Sequence, residues 1–184
     1  MRRTLRLGRA TMVIAIACLT VLVTSSVAHA GSVHFKKPAP TFSKSATTFA
    51  VTASGINLSG LGNGDIKIDI SAVGSATALC QNPGGSSKVP GQNPVAVNVS
   101  GTVFLPGDAV KNGSVTGISA TTASVPTPTT SEAGCPNSSW SVVGMSVSYT
   151  QVTLTISQDA NGNDSVFDFA TATVVLTQSF NVSL

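Results

Sequence analysis

The sequence predicts an all-β fold: an antiparallel β-sandwich held by one disulfide. Three observations carry this. Apolar and polar residues alternate at period two in several short runs, the pattern of a strand with one buried face. Turn-forming clusters of Gly, Pro and Asn separate those runs. No segment shows the spacing of an amphipathic helix.

The chain opens on an address rather than on structure. Residues 1–10 are basic, Met12–Val23 is an apolar run broken only by Thr20, and Ala28-His29-Ala30 follows. This is the layout of a secretory signal peptide, with cleavage expected after Ala30. The competing reading is a membrane anchor, but the run falls short of the about 20 apolar residues a span needs. Arg2-Arg3 also fits the start of a twin-arginine signal, without the rest of it. The mature chain is then Gly31–Leu184, with no second long apolar stretch and so no expected transmembrane span. A secreted or extracellular protein is expected, with association at the cell surface as a further expectation.

All four arginines lie in the first ten residues. From Gly31 onward there are six Lys against six Asp and one Glu, a net charge of −1. A basic nucleic-acid-binding surface is therefore not expected. The absence of arginine removes the bidentate clamp that enzymes use on carboxylates and phosphates. The one mature histidine, His34, lies near the new N-terminus, and no phosphate-binding glycine pattern is present. The expectation is a protein that is not an enzyme.

Residues 31–44, with Pro38, Pro40, Lys36, Lys37 and Lys44, read as an exposed N-terminal arm. Residues 45–184 read as one sandwich domain, immunoglobulin-like or a similar Greek key, of seven or eight strands. Ile66, Ile68 and Ile70 alternate with Lys67 and Asp69; Val95, Val97 and Val99 alternate with Ala96 and Asn98. Met145, Val147 and Tyr149 occupy odd positions, then Val152, Leu154 and Ile156 even ones. The chain must bulge, turn or change sheets across Thr150-Gln151. Val125–Gly134, with Pro126 and Pro128, reads as a long loop. Asp65 and Asp69 read as solvated charges. The mature chain holds 23 Ser and 18 Thr, which makes uncharged polar strand faces. Val, Ile, Leu and the seven Phe are expected to build the core.

Cys80 and Cys135 remain after processing, and two cysteines in an exported chain most simply form one disulfide. Trp140 stands five residues past Cys135. Packing on the disulfide is the favoured reading for it; the functional alternative makes Trp140 and Tyr149 ligand-stacking residues. Asp159, Asn161, Asn163, Asp164 and Asp168 place side-chain oxygens at close intervals, as at the start of a calcium loop. The displaced glycine and missing terminal Glu favour a hairpin tip built on Asn161-Gly162. No other cofactor is expected.

The pieces Cys80-Gln81-Asn82-Pro83-Gly84-Gly85, Pro90-Gly91-Gln92-Asn93-Pro94 and Gly134-Cys135-Pro136-Asn137 with Trp140 resemble motifs of small exported proteins of actinobacteria and related bacteria. That group has no assigned activity, so the resemblance implies export and nothing more specific. In composition the chain is also similar to the actinomycete apoproteins that carry enediyne chromophores. Those are immunoglobulin-like sandwiches with two disulfides, whereas this chain can form one. Two functions follow as expectations. The first is a non-catalytic structural or adhesive protein at or near the cell surface, with a surface glycan or protein as partner. The second is a soluble extracellular binding module for a glycan or small molecule.

Overall fold

A computed structural model describes residues 32–160 and 166–184. The expected signal peptide lies outside the described residues. Among the described residues nine strands follow one another: β1 (His34–Phe35), β2 (Thr41–Lys44), β3 (Val51–Ser59), β4 (Ile66–Gln81), β5 (Lys88–Pro90), β6 (Val95–Leu105), β7 (Ser114–Thr121), β8 (Ser141–Gln158) and β9 (Thr173–Asn181). All pairings are antiparallel. The smaller sheet has β3 at its centre, with β1 and β2 along one edge and β7 along the other. The larger sheet places β5 and β6 on one edge of β4, β8 on the other, and β9 outside β8. The inner faces bury one apolar core, and the fold is a β-sandwich. Among the described residues no helix is long and apolar enough to cross a membrane.

The parity change seen in the sequence is a bulge within one continuous strand. Val73 pairs with Gln151 and Gly74 with Tyr149, so Thr150 is the extra residue. A second bulge follows, where Leu79 pairs with Gly144 and Cys80 with Val142, leaving Val143 unopposed. Even positions of β4 face inward from Ile66 to Cys80 without a break. The two bulges re-aim β8 so that Leu154, Tyr149 and Val142 all meet that one row. The row shrinks from Ile70 through Ala72 to Gly74, and β8 supplies the larger Tyr149 opposite. A Cβ on Gly74 would lie 2.0 Å from the Ser148 carbonyl oxygen, so only glycine fits there.

Paired bulges also bend the smaller sheet. Gly55 and Gly117 both have positive φ, and Asn57 ties them together. Its side chain donates to the Gly55 carbonyl (2.9 Å) and accepts from the Gly117 N–H (2.8 Å). Where the sheets meet at one side, a Cβ on Gly101 of β6 would lie 1.9 Å from the Thr121 carbonyl oxygen. The Ala123 N–H donates to the Ser100 carbonyl there (2.8 Å).

Three expectations need correction. The expected exposed arm of residues 31–44 is, over its described residues 32–44, part of the sandwich: β1 and β2 pair with β3, and Phe35 and Phe42 pack on Phe180. The phenylalanines are not core residues: four pack at its margin, and Phe104 and Phe169 are exposed. Asp65 is not solvated: it is 3% exposed. Asp69 does face solvent, paired with Lys67 at 2.8 Å.

Candidate functional site

The predicted disulfide is present, with Cys80 and Cys135 joined at an S–S distance of 1.99 Å. Cys135 is presented by a single turn that begins Thr129-Thr130-Ser131-Glu132. The Glu132 carboxylate accepts from the Thr129 N–H and hydroxyl (both 2.8 Å), and the Thr129 oxygen accepts from the Glu132 N–H. These are the reciprocal contacts of a capping box. The same two donors hold the Glu132 carboxyl below its ordinary pKa. Gly134, at positive φ, ends the turn. The cystine, Ala78 and Ala133 form a small second core, and Trp140, Val89 and Val142 pack against it. Trp140 thus sits half-buried on the disulfide cluster.

Tyr149 is not available for stacking. It is 1% exposed, it lies opposite Gly74 in register, and its hydroxyl donates to the Phe49 carbonyl (2.8 Å). Burial pushes its phenol pKa upward.

The acidic residues at the base of the sandwich fasten loops. Asp159, 5% exposed, accepts the Asp65 N–H on one carboxylate oxygen (2.9 Å) and the Asp168 N–H on the other (3.0 Å). Asp65 accepts the Gly107 N–H (2.5 Å). Gln158 accepts from the Gly62 N–H (2.8 Å) and donates to the Gly64 carbonyl (3.0 Å). These bonds stitch the β3–β4 turn to the end of β8. Of the calcium candidates, Asn161, Asn163 and Asp164 lie outside the described residues, as does the Asn161-Gly162 hairpin tip. Among the described residues no three His, Cys, Asp or Glu side chains group to hold a metal.

Sequence reasoning missed an exposed aromatic cluster on the outer face of the larger sheet. Phe104 on β6, with Phe167 and Phe169 from the β8–β9 connection, forms a triad with centroids 5.1–6.1 Å apart. Phe104 is 52% and Phe169 69% exposed. The Lys67 ammonium lies 5.6 Å from the Phe169 ring centroid. The rings meet at 54–80°, so they make a ridged apolar surface rather than a flat platform for a sugar ring. Exposed Val174 extends this face onto β9, in register beside Ser157 and Lys67. Only the direction of Phe104 was readable: Val95, Val97 and Val99 face inward, and the same phase sends Phe104 out.

A separate groove of about 340 Å³ runs between β6 and the predicted long loop. Val95, Val97, Val125 and Pro126 line it, with Asn98 and Glu132 as polar members.

No family model matches the chain, and neither a curated protein nor a solved structure matches it.

Proposed function

We propose that this chain is an exported, non-catalytic β-sandwich that works by contact at or near the cell surface, as a structural or adhesive module. The observation that carries the reading is the aromatic patch of Phe104, Phe167 and Phe169. Contiguous apolar surface of this kind is costly to leave in water and marks contact sites. The signal-like first thirty residues, the disulfide and the resemblance to small exported actinobacterial proteins agree with it. The test is fractionation of the native culture. Most of the protein is expected with the washed cells, and F104S/F169S is expected to move it to the medium with the fold intact. Recovery of the unaltered protein only as free monomer in the medium would overturn the reading.

The groove beside β6 favours a second reading, a soluble binding module for a glycan or small molecule. Its volume lies at the lower end of the range for small-molecule sites. Native mass spectrometry of protein from its own culture tests this reading. Added mass above the processed, oxidised chain supports it; a bare chain mass counts against it.

A further inference from the structure

Sheet edges present unpaired backbone groups, and proteins guard them with lysine, proline, short strands or covering segments. Among the described residues the β1–β2 and β5 edges are guarded in this way. The β1–β2 edge carries Lys36, Lys37, Pro38, Pro40 and Lys44. The Lys44 ammonium also donates to the Val147 carbonyl at the edge of β8. β5 is three residues long and includes Lys88 and Pro90. β6 and β7 meet each other at Gly101 and Thr121. Unlike the β1–β2 edge and β5, β9 contains no charged residue and no proline over Thr173–Asn181. Its only strand partner among the described residues is β8.

The direction of its free groups follows from one bond. The Val182 N–H donates to the Thr150 carbonyl on β8 (3.0 Å). The register from Leu176 to Asn181 is unbroken, so even-numbered residues turn their N–H and C=O toward β8. Thr177, Ser179 and Asn181 therefore turn theirs outward. Gln178 pairs with inward-facing Leu154 yet is exposed. The β9 edge is thus exposed at Thr177, Gln178, Ser179 and Asn181 and open to a neighbour.

We propose that this edge is a self-docking site, where a second copy of the chain pairs β9 against β9 antiparallel about a two-fold axis through Ser179. An axis normal to the sheet keeps the inner faces together, so residues of equal parity oppose each other. Ser179 then faces Ser179 of the other copy, and Thr177 faces its Asn181. Every outward N–H and C=O of these three residues gains a partner. The charge-free strand and the mature net charge of −1 leave little repulsion between copies. Val174 places the aromatic face beside the joint, so a dimer carries two patches on one continuous sheet and gains from binding both. The inference goes beyond the surface-contact reading, and oligomeric state and cell attachment are measured separately.

Sedimentation equilibrium of the exported protein, made from the full sequence, tests it. A dimer is expected in the micromolar range. S179K sets two ammonium groups opposite each other and is expected to weaken association roughly tenfold or more. S179P removes an N–H that serves only the partner and is expected to leave a monomer of near-unchanged melting temperature. Amide exchange at Thr177, Ser179 and Asn181 should slow with concentration in the unaltered chain. A monomer throughout, a dimer indifferent to both substitutions, or one lost only in F104S/F169S would overturn the proposal.

Discussion

Tyr149 shows how one side chain joins packing to backbone conformation. Its side chain is buried in the main core, and its hydroxyl holds the carbonyl of Phe49, a non-glycine residue at φ 55°. Left-handed backbone is unfavourable for such a residue, so the bond helps to fix a corner the chain would otherwise avoid. Y149F should lower stability by about 1 kcal/mol, read by denaturant titration. The pH dependence follows from the upward shift caused by burial. A phenol whose folded pKa lies above its unfolded value retains its proton longer when folded. Its contribution is fully present below about pH 10 and is lost as pH rises through the folded pKa. The unaltered protein should lose stability across that alkaline window more steeply than Y149F. Tyr149 is also where reading by residue type misleads. Its place in the odd-numbered apolar row already assigned it to the core, while its aromatic ring suggested a ligand contact.

At the scale of elements, the β7–β8 connection is pinned to β4 by the disulfide. Its two cysteines stand 55 positions apart in sequence, a loop for which chain-entropy reasoning gives about 4 kcal/mol. C80S/C135S should lose stability of that order in denaturant titration. It should also free the Trp140 indole from a neighbouring quencher, so that native-state fluorescence rises. A stability loss with unchanged emission would mean that Trp140 does not lie against the cystine. Much of this was legible. Two cysteines defined the bond, and the parity change around Thr150 located an irregularity that proves to be a bulge rather than a turn or a change of sheet. The second bulge was hidden because Ser141-Val142-Val143-Gly144 has no alternation to interrupt. The first strands were hidden for a different reason. Lysine and proline mark both free tails and protected sheet edges, and composition does not separate the two.

For the molecule as a whole, the base of the sandwich is closed by hydrogen bonds, with buried carboxylates taking backbone N–H donors at Asp65 and Asp159. Buried carboxylates need such partners, and here the backbone supplies them. Chelation of divalent cations should therefore leave the melting temperature unchanged. A drop of several degrees would instead assign a cation to the Asp159–Asp168 segment. The aromatic patch was out of reach of local reading, because Phe167 and Phe169 meet Phe104 only after the β8–β9 connection folds across the sheet. The alternation of β6 indicated that Phe104 faces outward, but not what would stand beside it.

The order of the strands along the chain has a consequence for biogenesis. β8 pairs with β4 over nearly its whole length, yet it is the penultimate strand. A chain emerging N-terminus first completes both cysteines before any of β8 is available. Until residues 141–158 arrive, one flank of β4 is an open template of sixteen residues. Any extended segment in the vicinity could occupy it. The nascent protein must therefore be shielded along that flank, or be released quickly enough for its own late strand to fill it first.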